Sequence, residues 1–223
     1  FQQLKYIFEV NPEPIKSSFN VSYASMLNLF EIYGERLLGV YSKSFHYFLT
    51  KDKSNLSQLR MMKARLKILK QLDYIKSDEL TEKAHFAKNI HGYDLPLSEL
   101  YSYGVLEDLS SQQLAVLCLA AVYEPRPNSR QRFKLKKEIK HLRKLTLRVT
   151  ETLHDIEKKN RITPLSKKFY FDLSVSLIEW MNNSSFSRIM ERLDIDEGEI
   201  IRYYRMSIQI LREMLETPIS REL

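Results

Sequence analysis

The chain has 223 residues, of which 43% are hydrophobic and 11% aromatic, so it can bury a core and is not a disordered chain. Its five glycines are never spaced as a phosphate-binding loop or a dinucleotide-binding turn requires, which excludes those nucleotide sites. The formal net charge of +7 is compatible with an anionic partner.

The cysteine content and the hydropathy pattern indicate the environment. The single cysteine, Cys118, can form neither an internal disulfide nor a thiolate zinc site, which suits a reducing compartment, and we expect a cytoplasmic protein. No apolar run approaches the roughly 20 residues of a membrane span, so no membrane partner is expected. The sequence starts at Phe1 in the middle of a pattern and is expected to be a piece of a longer protein.

The first 92 residues predict a small helical unit with a hairpin. In chain order, the pattern predicts an extended linker over 1–20, a helix capped by Ser22 and ended by Gly34, a helix over 37–49, a polar loop over 52–55, a helix over 56–74 and a strand, turn and strand over 74–84. Three helices followed by a hairpin are typical of a winged helix, which we expect over 21–92.

Residues 93–223 predict an almost purely helical domain. The pattern indicates helices over 97–104, 113–123 with Ser110 as its cap, about 129–160, 168–181, 186–193 and 198–216. The long helix is predicted to bury Leu135, Ile139, Leu142, Leu145, Val149, Leu153 and Ile156. Short loops imply antiparallel neighbours, so the expected fold is mainly α: a winged-helix domain with a small β-hairpin wing, followed by an antiparallel helical bundle.

No catalytic or metal-binding constellation stands out. The five histidines lack ligand spacing, and Cys118 lies in an apolar helix as a core residue would. Four acids, Asp194, Asp196, Glu197 and Glu199, precede or open the last helix, where carboxylates complement the helix dipole. We therefore predict no catalytic residue, metal or cofactor in this chain.

One segment is strongly basic. From Arg126 to Arg148 there are ten lysines and arginines against one acid, Glu138, a net charge of +9. Such a run is either a solvated helix face or a surface for phosphates or an acidic partner. The candidate contacts in it are Arg130, Arg132, Lys136, Lys137, Lys140, Arg143 and Lys144.

The last helix carries a second basic arrangement. Its predicted apolar stripe is Ile200, Tyr204, Ile208, Leu211 and Leu215. Arg202, Arg205, Gln209 and Arg212 follow spacings of three, four and three, so they are predicted to share another face. Such a row can follow a nucleic-acid backbone and stack on bases, although an ordinary solvated face explains it equally well.

Several short motifs occur in a fixed order along the chain. They are Ser18-Phe19 with Tyr23 and Leu27-Asn28-Leu29; Leu66, Leu69, Leu72 and Tyr74-Ile75; Leu80-Thr81 with Lys83 and Ala87; Leu97, Glu99-Leu100, Gly104-Val105-Leu106 and Asp108-Leu109; Phe186-Ser187 with Ile189; Asp196-Glu197-Gly198; Ile200-Ile201-Arg202; and Leu211-Arg212 with Met214. Together these segments resemble the C-terminal region of Ski2-like superfamily 2 helicases, a family that includes the Ski2, Mtr4 and HelY-type proteins.

The resemblance implies a role in gripping a nucleic-acid strand. In this family two RecA-like domains bind ATP and Mg²⁺, and the winged helix and helical domain close over the 3′ single-stranded tail during 3′-to-5′ translocation. Arg202, Arg205 and Arg212 match basic positions of the family's last helix. Two positions depart from the family's pattern: Met206 stands where a basic residue is common, and Gln209 stands where an acidic residue is usual. The span from Tyr41 to Leu56 leaves no room for an arch insertion, so we expect an arch-less, prokaryotic relative.

Three functional hypotheses follow. The first is the accessory region of an ATP-dependent RNA or DNA helicase that grips single strands, with its own RecA domains as partners and a monomeric state. The second is a non-enzymatic regulator that binds duplex DNA through its winged helix and the helix–turn–helix-like 186–212 segment. The third is a basic scaffold that binds an acidic protein.

Overall fold

The computed structural model describes residues 21–50, 52–126 and 134–217. The described chain is mainly α-helical with one two-stranded antiparallel sheet, which confirms the expected fold class. The expected linker over 1–20 lies outside the described residues. The elements in chain order are α1 (Tyr23–Tyr33), a 3₁₀ turn (Gly34–Arg36), α2 (Leu37–Tyr41), α3 (Phe45–Leu49), α4 (Asp52–Gln71), β1 (Ile75–Lys76), β2 (Glu79–Leu80), α5 (Glu82–Asn89), α6 (Asp94–Ser102), α7 (Ser111–Val122), α8 (Lys137–Lys159), α9 (Ser174–Met181), α10 (Phe186–Met190) and α11 (Glu197–Leu215).

The first helix begins and ends where its capping residues require. The Ser22 hydroxyl accepts a hydrogen bond from the Ser25 amide at 3.0 Å, which satisfies one free N–H group of the first turn. Gly34 ends α1 with a φ of +54°, a conformation that glycine adopts without steric cost. The predicted boundaries of this helix are therefore confirmed.

The three predictions between α1 and β1 were partly wrong, and the helix expected over 56–74 runs from Asp52 to Gln71. The single helix expected over 37–49 is split into α2 and α3, because the Ser44 hydroxyl caps a new helix by accepting from the Tyr47 amide at 3.1 Å. The polar loop expected over 52–55 is the first turn of α4. Asn55 is buried there: its amide donates to the Tyr47 carbonyl, and its side-chain oxygen accepts from the Tyr41 hydroxyl at 2.9 Å.

The hairpin is shorter than expected and is followed by a helix. Ile75 pairs with Leu80, and Lys76 pairs with Glu79. The second strand was predicted to run on to residue 84, but α5 begins at Glu82. This helix packs against α1 and α6 and contributes side chains to two neighbouring hydrophobic clusters. The predicted domain boundary at 92/93 falls just after α5 and stays a prediction.

In the C-terminal part, α9 and α11 pack against the apolar helix α7. The start of α7 is fixed by a capping box: the Ser110 hydroxyl accepts from the Gln113 amide, and the Gln113 side chain accepts from the Ser110 amide. Seven consecutive residues of this helix, 116–122, are buried. The helix therefore forms the centre of the larger hydrophobic cluster.

Several helix boundaries in this part differ from the prediction, and the helix expected over 97–104 is α6, which begins already at Asp94 and ends at Ser102. The long helix was expected from about 129, but residues 134–136 are not helical and α8 begins at Lys137. The helix expected over 168–181 begins only at Ser174, because residues 168–173 are not helical and the Tyr170 amide donates to the Ala120 carbonyl at 2.8 Å. The short helix expected over 186–193 ends at Met190.

The buried face of α8 is more polar than predicted. Ile139, Leu142 and Leu153 are buried as expected, whereas other members of the predicted stripe are only partly buried. The helix instead buries four polar side chains: Thr146, Thr150, His154 and Glu157. Each has a hydrogen-bond partner: the threonine hydroxyls donate to carbonyls one turn earlier, and the other two bind residue 166.

Candidate nucleic-acid interface

The last helix, α11, buries one face and exposes the other. Its buried residues are Ile200, Tyr203, Tyr204, Ser207, Ile210 and Met214. The predicted apolar stripe was therefore partly wrong: Ile208 is 39% exposed and Leu215 is 84% exposed. Residues spaced by four are about 40° apart on a helix with 3.6 residues per turn, so a series of such spacings moves gradually around the helix. Part of the predicted stripe therefore lies outside the face that packs against α7.

The predicted basic row lies on the exposed face. Arg202, Arg205, Gln209 and Arg212 are all exposed and line one open groove of about 680 Å³. Gly198, Ile201, Met206 and Ile208 complete the groove. The structure thus brings together the four side chains that the sequence spacing placed on one face.

The three arginines of this row have no acidic partner among the described residues. The described acids of α11 and its N-cap that form ion pairs bind other residues. Glu199 binds Arg126, and Glu213 accepts a hydrogen bond from the backbone amide of His91 at 3.2 Å. Because no described carboxylate forms an ion pair with the three arginines, direct pairing does not neutralise their charge within the described structure.

Two side chains of the row, Arg202 and Gln209, contact neighbouring side chains of α11. The Arg202 guanidinium carbon lies 4.8 Å from the centroid of the Tyr203 ring, a cation–π arrangement that orients the side chain. The Gln209 amide donates to Glu213 at 3.2 Å. Arg205 and Arg212 make no described ion pair or ring contact, so their guanidinium groups can turn towards a ligand.

The structure describes the basic segment between 126 and 148 only in part, and its role as a surface stays a prediction. Arg126 is paired with Asp196 at 2.8 Å and with Glu199, which neutralises it. Arg130 and Arg132 lie outside the described residues. The other five candidates are exposed on or just before the first turns of α8: Lys136, Lys137, Lys140, Arg143 and Lys144.

The candidates on α8 and α11 do not share a groove. Arg143 lines a separate groove of about 600 Å³, together with residues of α8 and the extended chain at 168–170. Among the described residues, only those of α11 line the α11 groove. The row on the last helix therefore forms its own candidate interface.

Within the described part of the chain, nothing points to catalysis. Cys118 is fully buried, and burial raises the pKa of its thiol to about 12, which keeps it protonated and unreactive. No group of three or more metal-ligating side chains occurs in that part. The acids at the start of α11 lie at its N-cap and first turn as expected, although Asp196 binds Arg126 and not the helix amides. None of the described helices is long and apolar enough to span a membrane.

Sequence reasoning missed the apolar members of the groove. Ile201, Met206 and Ile208 lie among the arginines, and none of them is buried. A signal was present in the sequence, since the helix has more apolar residues than one buried face can hold. The candidate interface is therefore both cationic and apolar.

The fold and the site define a mainly helical module that exposes a row of arginines with no acidic partner among the described residues. Comparison with known proteins gives its family. Residues 77–222 match the DSHCT (NUC185) domain, and the chain belongs to this family. The match begins in the hairpin, ahead of the predicted domain boundary.

Three relatives illustrate the similarity. The chain is 27% identical over 167 residues to the ATP-dependent RNA helicase mtr4 of Schizosaccharomyces pombe, covering 73% of this chain and 15% of that protein. It is 28% identical over 158 residues to the DExH-box ATP-dependent RNA helicase DExH9 of Arabidopsis thaliana, covering 69% and 16%. It is 26% identical over 165 residues to the Exosome RNA helicase MTR4 of Mus musculus, covering 71% and 16%.

The chain thus spans about one sixth of the length of these relatives. The three come from a yeast, a plant and a mammal, so they give no support to the expected prokaryotic relative.

Proposed function

We propose that this chain is the C-terminal accessory region of an ATP-dependent RNA helicase and that the exposed face of α11 grips single-stranded RNA. The DSHCT match and the helicase names of the relatives support this assignment. In this proposal the chain itself is not catalytic. ATP and Mg²⁺ bind to RecA domains of the same polypeptide, and the chain works as a monomer that guides the strand during 3′-to-5′ translocation.

The observation that carries the proposal is the arginine row in the α11 groove. Arg202, Arg205 and Arg212 project from one rigid helix, and within the described residues no carboxylate pairs with them. Guanidinium groups bind phosphates through several donors and also stack on bases. A line of such groups along a helix matches the backbone of an extended strand, which needs charge at intervals and no base-specific contact.

We further propose that the parent lacks an arch. α3 ends at Leu49 and α4 begins at Asp52, so the chain passes from one helix to the next in two residues. An inserted domain between these helices would need a longer connection. The link to the exosome that one relative's name carries is therefore not carried over to this chain.

The test is strand binding by the double variant Arg202→Ala/Arg205→Ala. Each phosphate contact to a single strand contributes about 0.7 to the slope of log K against log salt. Removing two contacts should lower that slope by about 1.4 and weaken binding about 25-fold at 0.1 M salt. The measurement is fluorescence anisotropy of a labelled oligoribonucleotide at several salt concentrations, with circular dichroism to show that the variant is folded.

A matched control separates this proposal from a duplex-binding regulator. Arg60 and Lys63 are also two exposed cations three residues apart on a helix, but they lie on α4. Arg60→Ala/Lys63→Ala should leave single-strand binding unchanged. If that variant loses duplex binding while the α11 variant binds as the wild type does, the regulator hypothesis is correct and the present proposal is wrong.

A further inference from the structure

Trp180 forms an exposed aromatic platform at the end of α9. Its ring stacks on Tyr204 of α11, with 5.0 Å between centroids and 22° between planes. Tyr204 is buried, and its hydroxyl donates to the Ser176 hydroxyl at 3.1 Å, which fixes the ring beneath. Trp180 nevertheless remains 44% exposed, so a large part of its side chain is accessible to a ligand.

The platform lies next to the groove of the arginine row. Ile201 and Ile208 are three residues before and four residues after Tyr204, so both lie beside it on the helix surface, on the side of Arg205. Both line the groove together with Arg205 and Arg212. Because Trp180 stacks on Tyr204, it lies beside these two isoleucines. Trp180, Ile201 and Ile208 together form an apolar border along one edge of the basic row.

We propose that Trp180 is a base-stacking residue: the arginine row holds the phosphates of a single strand while an unpaired base stacks on the indole ring of Trp180. This inference rests on the proposed function, which assigns the contacts to the phosphates, and it adds a contact between the apolar border and a base. Exposed apolar side chains cost free energy in water, and a cationic row beside them favours an anionic ligand that also has apolar faces. Nucleic-acid bases provide such faces only when they are unpaired, so the arrangement selects single strands over duplexes.

The experiment uses the fact that Trp180 is the only tryptophan in the chain. Its emission therefore reports directly on the platform without any label. Titration of the whole chain with an oligouridylate should quench this emission, since a stacked base contacts the indole ring. An abasic strand of the same length, which keeps the phosphates, should bind through the arginines and leave the emission unchanged, and so should a duplex.

Two variants and a control test the energetic contribution. Trp180→Leu should weaken binding of the oligouridylate on the order of tenfold, with no effect on the abasic strand, and Trp180→Phe should restore most of the affinity. Phe48→Leu, which changes an aromatic residue that is 83% exposed on α3, is the matched control and should have no effect.

The outcomes separate the two proposals. Strand binding that depends on Arg202 and Arg205 but leaves the Trp180 emission unchanged would overturn the stacking role and keep the proposed function. It would assign the apolar border to a protein contact. A chain that binds no strand at all overturns both.

Discussion

The buried carboxyl group of Glu157 offers the sharpest test of how the two halves of the chain are held together. Glu157 lies on α8 and is fully buried. One of its oxygens accepts from the Tyr23 hydroxyl at 3.1 Å and from the Ser166 hydroxyl at 2.8 Å. The other accepts from the Ser166 amide at 2.8 Å. The first of these bonds joins residues that are 134 positions apart in sequence.

The cost of removing this group follows from its three donors. A buried donor left without an acceptor costs about 1–3 kcal/mol, and Glu157→Leu leaves three of them. We expect a loss of about 3–5 kcal/mol in the free energy of unfolding. This loss is large, because the whole free energy of unfolding of a typical domain is about 5–15 kcal/mol. Glu157→Gln should cost only about 1 kcal/mol, because the two hydroxyls can turn and accept from the new amide while its oxygen serves the Ser166 amide.

Urea denaturation followed by circular dichroism measures these losses. The matched control is Glu151→Leu, since Glu151 is exposed on the same helix and its replacement should change stability by less than about 0.5 kcal/mol. Equal stability of the Glu157→Leu and Glu151→Leu variants would refute the reasoning. A Gln variant as unstable as the Leu variant would show that the charge, and not the hydrogen-bond geometry, matters at this position.

Three further predictions concern the core and a helix start. Cys118 should resist alkylation at pH 8 until the chain unfolds, because burial raises the pKa of its thiol to about 12. For the same reason the free energy of unfolding should fall as the pH rises from 9 towards 12, where only the unfolded thiol ionises, and Cys118→Ala should lack that part of the slope. Ser110→Ala removes the capping box of α7 and should lower the midpoint of thermal unfolding by a few degrees, equivalent to about 1 kcal/mol, whereas Ser111→Ala should have a smaller effect.

The sequence predicted the elements whose signals are local. Ser22 and Ser110 were correctly identified as helix caps, and Gly34 as a helix end, because a cap depends on a few consecutive residues. The row on α11 was correctly placed on one face for a similar reason: the geometry of a single helix fixes which residues are neighbours. These features require no knowledge of what packs against them.

The errors arose where tertiary contacts decide. Thr146, Thr150 and Glu157 are buried on α8, although hydrophobic periodicity assigns buried positions to apolar residues. Their partners are a carbonyl one turn away or a residue brought close only by the fold, such as Tyr23. Asn55 shows the same effect. It belongs to a polar run that resembles a loop, but this run is the start of α4, where the Asn55 side chain forms hydrogen bonds with residues of α2 and α3.

The distribution of acids explains why the candidate interface exists at all. The chain has 35 basic and 28 acidic residues, a small excess that could have been spread evenly over the surface. On α11, however, Glu199 pairs with Arg126, and Glu213 binds the backbone amide of His91 and the side chain of Gln209. The fold thus uses these acids to hold other groups and leaves the arginines of the row without a carboxylate partner among the described residues. An unpaired row on a rigid helix is pre-organised for a polyanion, because neither an internal ion pair nor a flexible loop must rearrange before the ligand binds.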